Sequence, residues 1–92
     1  MTPVSLNSVP KLRRGILRKF DEARGQYVLL GPEKIVQLDD IANAIVECCD
    51  GQASVSQICS TLAARYETEL AEVEPDVLDL IQELQDKGLV TA

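Results

Sequence analysis

Hydrophobic spacing changes period twice along the chain. Residues 1–12, with Pro3, Ser5, Asn7, Ser8 and Pro10, hold no sustained period and read as a flexible N-terminal lead-in to one domain over 13–92. Two short apolar-rich runs follow, Ile16 to Phe20 and Tyr27 to Leu30, and Arg24-Gly25 between them supplies a turn able to take positive φ. Gly31-Pro32-Glu33 is a second turn signal, because proline presets φ at a turn, and Lys34 to Leu38 then reads as a third strand. This pattern predicts a three-stranded antiparallel meander.

From Asp39 onward the spacing becomes helical. Asp39 or Asp40 can cap a first helix with apolar positions Ile41, Ala42, Ile45, Val46, Cys48 and Cys49, and Asp50-Gly51 closes it. Ser54 and Gln57 form a capping-box pair, each side chain satisfying the other's backbone donor, ahead of Val55, Ile58, Cys59, Leu62, Ala63 and Tyr66 at helical spacing. Pro75 is placed in the first turn of a third helix, Asp76 near its positive end, and Gly88 stops it after Lys87. Leu89-Val90 can add a last strand. The expected fold class is α+β and winged-helix-like, a three-stranded antiparallel meander followed by three helices whose apolar stripes share one sheet face.

In a meander only the middle strand is paired on both sides, so the outer two present unpaired N–H and C=O groups. Arg18 and Lys19 protect the first strand with charge, whereas the third carries only Lys34, at its start. Ile35, Val36, Gln37 and Leu38 therefore form an uncharged row that could receive an extended segment of another chain, or of a second copy in a homodimer. On a wheel of 100° per residue, Val73, Val77, Leu80, Ile81 and Leu84 gather into the core stripe of the third helix. Leu78 stands on one shoulder with Gln82 and Gln85, beside the acidic Asp79, Glu83 and Asp86, and that uncharged shoulder is a candidate groove wall.

Composition narrows the function classes. The chain has no histidine and three aromatic residues, Phe20, Tyr27 and Tyr66, so it lacks the commonest general base and the usual stacking platform for single-stranded nucleic acid. Carboxylates stand without a nucleophile or metal constellation, and no enzyme activity, cofactor or metal is expected. Cys48, Cys49 and Cys59 are odd in number with no C-x-x-C spacing, and are expected to act as small hydrophobes in the core. No run of 18 apolar residues exists and the lead-in has no apolar signal core, which predicts a cytoplasmic protein with no membrane partner.

The net charge of −6 is unevenly placed, +4 over residues 1–24 and −10 over 25–92. The segment Ser54 to Tyr66, where a winged helix would read DNA, carries Arg65 alone, so nucleic acid is not an expected partner. A carrier-protein role would need an Asp-Ser attachment pair, and none occurs.

The ordered residues are more specific than the layout. Pro10-x-Leu12-x-Arg14-Gly15, Asp21-x-x-Arg24-x-x-x-Val28-Leu29-Leu30-x-Pro32-Glu33-x-x-x-x-Leu38, Asp50-Gly51 with Val55-x-x-Ile58, and Asp76-Val77 with Leu84 and Gly88-Leu89 span about Pro10 to Leu89. This string resembles the D proteins of pyrroloquinoline quinone (PQQ) biosynthesis. The resemblance implies a recognition element for ribosomally made peptides, a non-enzymatic chaperone that binds a precursor peptide and presents it to a radical S-adenosylmethionine enzyme. In that family the peptide adds as a strand to the third strand's edge, in a groove walled by the third helix. Carried onto this chain, the resemblance implies peptide binding at Ile35, Val36, Gln37 and Leu38, with Leu78, Gln82 and Gln85 as the wall. A separate basic surface, Arg13, Arg14, Arg18 and Lys19, is the expected face for the enzyme. The C-x-x-x-C-x-x-C of an iron-sulfur enzyme is absent, which implies action in trans. Without the resemblance, the same features amount to a generic winged-helix protein-interaction adaptor.

Overall fold

Asp21 closes the first hairpin through its own side chain, whose Oδ1 accepts from the backbone N–H of Ala23 and Arg24, and Gly25 completes the turn at φ 67°. The arms are β2 (Leu17–Asp21) and β3 (Gln26–Leu30), and the two-residue turn Pro32-Glu33 leads into β4 (Ile35–Leu38). These form one antiparallel sheet in the order β2-β3-β4, with Leu17, Leu30 and Ile35 in one cross-strand row and Arg18, Leu29 and Val36 in the next. The computed structural model describes residues 3–92, so Met1 and Thr2 of the expected lead-in lie outside the described residues.

Helix α1 (Asp40–Glu47) is capped by Asp39, whose Oδ1 accepts from Ala42 N–H at 2.8 Å. Helix α2 (Val55–Arg65) starts on the full Ser54–Gln57 capping box. Leu29 and Leu38 of the sheet meet Ile45 and Val46 of α1, Ile58 and Leu62 of α2, and Val77, Ile81 and Leu84 of the last helix in one buried cluster. The expected α+β, winged-helix-like arrangement, a three-stranded antiparallel meander and then three helices, is the observed one.

Two features differ from expectation. Helix α3 (Leu70–Asp86) begins five residues before Pro75, which sits inside the helix and not in its first turn. Proline forfeits one helical N–H bond. Val73, half-buried against the core, and the fully buried Val77 hold the helix across that gap.

The second difference is the N-terminal segment, expected to be a lead-in outside the domain. Residues 4–12 are bonded to it. The first N–H groups of a helix have no intrahelical partner, and those of Val55 and Ser56 in α2 donate to the carbonyls of Ser8 (2.8 Å) and Leu6 (2.9 Å). Pro10 is buried, and its carbonyl accepts from Gly51 N–H at 3.0 Å. A short strand β1 (Lys11–Leu12) pairs antiparallel with β5 (Val90–Thr91), so a boundary at residue 13 would cut β1 from the body it belongs to. The segment docks through these backbone bonds and through the irregularly spaced Val4, Pro10 and Leu12, which leave no hydrophobic period.

Gly51 is the tight point of this strap. Its φ is +80°, and a Cβ there would lie 2.9 Å from Lys11 Cδ. Gly51→Ala is expected to cost about 1–2 kcal/mol, the left-handed penalty plus displacement of a flexible lysine stem. Chemical denaturation with an unchanged slope would check it.

Candidate functional site

The register of the meander decides which backbone groups of β4 are free. Gly31 N–H donates to Lys34 C=O at 2.9 Å, the hydrogen-bonded pair that closes the Pro32-Glu33 hairpin. Bonded and non-bonded pairs alternate along an antiparallel ladder. Leu29 with Val36 and Tyr27 with Leu38 are then bonded pairs, while Ile35 and Gln37, opposite Leu30 and Val28, turn their N–H and C=O groups away from the sheet. Val36 and Leu38 point their side chains at the core, and Ile35 and Gln37 carry theirs on the outer face, Ile35 at 60% exposure. Four of the seven expected binding residues thus share one free edge.

The other three do not face that edge. Gln82 Oε1 accepts from Val4 N–H at 2.9 Å and its Nε2 donates to Asp86 Oδ1, so this flank of α3 carries the N-terminal segment. Leu78, one turn earlier on the flank, is half-buried against the core cluster, and Gln85 falls on the same side by helical spacing. The flank toward β4 is the opposite shoulder. Lys34 Nζ donates to Lys87 C=O at one end, and at the other Asp76, Asp79 and Leu80 line a recess with Asp39, Ile41, Ala42 and Ile45. Leu80 packs against the core cluster, as its place in the stripe predicts, and lines this recess as well. Only its spacing was visible in the sequence, and spacing cannot say which shoulder of a stripe meets the sheet edge.

Among the basic residues, Arg18 is drawn inward. Its guanidinium lies 4.6 Å from the Tyr27 ring centroid, donates to Asn43 Oδ1 at 2.8 Å and stands 3.5 Å from Glu47. It ties β2 to α1 and is not a free cation. Arg13, Arg14 and Lys19 are exposed.

The cysteines behave as expected of core side chains, Cys49 and Cys59 buried and Cys48 half-buried. Burial raises all three thiols, and Cys49 is pushed up to about 12. Asp50 is held below the usual carboxylate range by the N–H groups of Gln52 and Ala53. Because the folded thiol of Cys49 titrates above the unfolded one, its contribution is fully present below the unfolded value near pH 9 and is lost as pH rises toward 12. Thermal melts over pH 8–11 should therefore fall more steeply for the wild type than for Cys49→Ala. Equal slopes would remove the thiol as the cause. Among the described residues no group of His, Cys, Asp and Glu could hold a metal ion, and no helix is long and apolar enough to cross a membrane.

The candidate site is thus a free strand edge beside the long C-terminal helix. The family model described as coenzyme PQQ synthesis protein D matches residues 26–90. The PqqA binding protein of Xanthomonas campestris pathovar campestris strain 8004 is 43% identical over 90 residues, covering 98% of each chain. The solution structure of the PqqD part of Methylobacterium extorquens PqqCD, described as a functional and stand-alone recognition element for ribosomally synthesized and post-translationally modified peptides, is similar at a TM-score of 0.86 and 38% identity. It covers 99% of this chain and 97% of that one. Lasso peptide synthetase B1 complexed with its leader peptide is similar at a TM-score of 0.77 and 26% identity, covering 92% of this chain and all of that one. The chain belongs to the coenzyme PQQ synthesis protein D family.

Proposed function

We propose that this protein is the peptide chaperone of PQQ biosynthesis, taking the precursor peptide PqqA as an added strand on β4 and presenting it to a radical S-adenosylmethionine enzyme. It acts in the cytoplasm, without catalysis of its own and without a cofactor. The observation that carries this reading is the outward-facing backbone of Ile35 and Gln37 on an edge without charged side chains between Lys34 and Asp39. The relatives support it, one named for binding PqqA and another solved with a leader peptide.

The energetics suit a carrier that must also release. Ile35 and Gln37 offer two donors and two acceptors, each bond contributing about 1 kcal/mol net. Two or three apolar anchors add about 1.5–3 kcal/mol each, against an association cost of at least about 4 kcal/mol. The balance spans about −3 to −9 kcal/mol, a range whose tight end reaches micromolar affinity. Arg13, Arg14 and Lys19 form the basic surface left for the enzyme, with Arg18 committed to the fold.

Titrating isotope-labelled protein with PqqA should move the amides of Ile35 and Gln37 and protect them from hydrogen exchange. Adding the radical enzyme should then perturb the Arg13–Lys19 region and leave the peptide in place. Saturable peptide binding with an unmoved β4 would defeat the strand-addition reading.

A further inference from the structure

We infer that the same groove continues past β4 into an apolar cleft between α1, α2 and α3, and that this cleft takes an apolar side chain of the peptide neighboured by a lysine or arginine. The inference rests on the strand-addition reading above and names what that groove selects.

Three large apolar side chains, on α1, at the end of α2 and at the start of α3, are left in water, Ile41 at 53% exposure, Tyr66 at 48% and Leu70 at 42%. Ile41 and Tyr66 sit on the rim of a cleft of about 280 Å³, whose walls are completed by Ile45, Leu62, Val73 and Val77. Tyr66 is the C-cap of α2, its N–H donating to the carbonyl of the buried Leu62 one turn earlier, which puts the ring on the same face as Leu62. Leu70 opens α3 one turn before Val73.

The cleft is continuous with the β4 groove. Ile41, Ile45 and Asp76 line both it and the recess formed with Asp39, Ala42, Asp79 and Leu80, and that recess begins where β4 ends. A peptide leaving the Leu38 end of the edge therefore runs straight into the cleft. Charge then specifies its neighbour. The linings of the two recesses contain Asp39, Glu72, Asp76 and Asp79 and no lysine or arginine, whereas the recess at the opposite end of β4 holds Lys34 and Lys87 beside Glu33, with Lys87 paired to Glu83. Water leaves as the apolar side chain docks, which strengthens attraction between these carboxylates and an adjacent cation. The uncompensated negative charge lies at the Leu38 end, so the position of the cation in the peptide also sets the direction in which it lies.

The test is a titration of labelled protein with the PqqA peptide, repeated with Ile41→Ser and with the double variant Asp76→Lys/Asp79→Lys, each melted first. All three positions are exposed, so melting should stay within a few degrees. The amides of Ile41, Tyr66 and Val73 should move together with those of Ile35 and Gln37. Ile41→Ser should weaken binding about tenfold, and the double variant should weaken it and flatten its dependence on salt. If Ile35 and Gln37 respond while Ile41, Tyr66 and Val73 stay still and both variants bind as wild type does, the cleft is unused and strand addition stands. If Ile35 and Gln37 do not respond, the strand-addition reading fails and this inference with it. Shifts at Ile41 and Tyr66 that grow with protein concentration in the absence of peptide would assign the cleft to a second copy, overturning the inference.

Discussion

Val36→Pro should unfold much of the sheet, whereas Ile35→Pro should leave the domain folded and cost it the peptide. The two positions are adjacent, but their backbones face opposite ways. Val36 is in a bonded pair with Leu29, and its side chain packs on the core cluster. Proline there removes a ladder donor and an apolar contact together, about 3 kcal/mol or more. For a domain of this size that corresponds to a fall of roughly 12–24 °C in Tm. Ile35 turns its N–H outward and its side chain into solvent, so the sheet loses little. A docking strand, however, loses a donor and meets the pyrrolidine ring, and affinity should fall about tenfold or more. Thermal melts beside peptide titrations separate the two outcomes. The reverse result, Ile35→Pro unfolding the sheet and Val36→Pro sparing it, would mean the ladder runs in the other phase.

The contrast between β4 and α3 shows where reading the residues succeeds. An edge strand is legible because its evidence is local. A turn signal precedes it and a helix cap follows it, no charge interrupts Ile35 to Leu38, and a meander leaves one side of its third strand unpaired by construction. The caps at Asp39 and at Ser54 with Gln57 are legible for the same reason, each being a bond between residues three apart. Even the phase of β4 follows from the length of the Pro32-Glu33 loop.

What escaped depends on tertiary docking. An amphipathic helix has two shoulders flanking its stripe, and nothing within α3 says which one lies beside the sheet. The N-terminal segment occupies one through Gln82, which leaves Asp76, Leu80 and Lys87 to the other. That segment was itself unreadable, because carbonyls of Leu6 and Ser8 capping the N–H groups of α2 leave no trace in hydrophobic spacing. Arg18 escaped likewise. A lysine or arginine on an edge strand normally reads as solvated, yet Tyr27, Asn43 and Glu47 converge on this one from two other elements.

The shoulder assignment carries the second large effect, expected from Leu80→Lys and not from Leu78→Lys. Leu80 is half-buried in the recess beside the end of β4, a place that must become dry when the peptide docks. Leu80→Lys removes an apolar anchor and puts a charge into that space, together about 2 kcal/mol or more, so affinity should fall about thirtyfold. Stability should fall by about 1 kcal/mol, because Leu80 also packs against the core cluster and the helical pair with Asp76, one turn earlier, offsets only a few tenths. The new ammonium would also repel a cationic neighbour of the peptide's anchor, so the loss should be greatest at low salt. Leu78→Lys acts on the other shoulder. Its side chain packs against the core on the flank that holds the N-terminal segment, and losing that contact should cost about 1–2 kcal/mol of stability while peptide affinity changes less than about twofold. A melt and a titration on each variant give four numbers, and the prediction is that both melt slightly early while Leu80→Lys alone loses the peptide. Should Leu78→Lys bind weakly and melt normally while Leu80→Lys melts early and binds well, the uncharged shoulder of Leu78, Gln82 and Gln85 is the groove wall after all, and the N-terminal segment must move aside to admit the peptide.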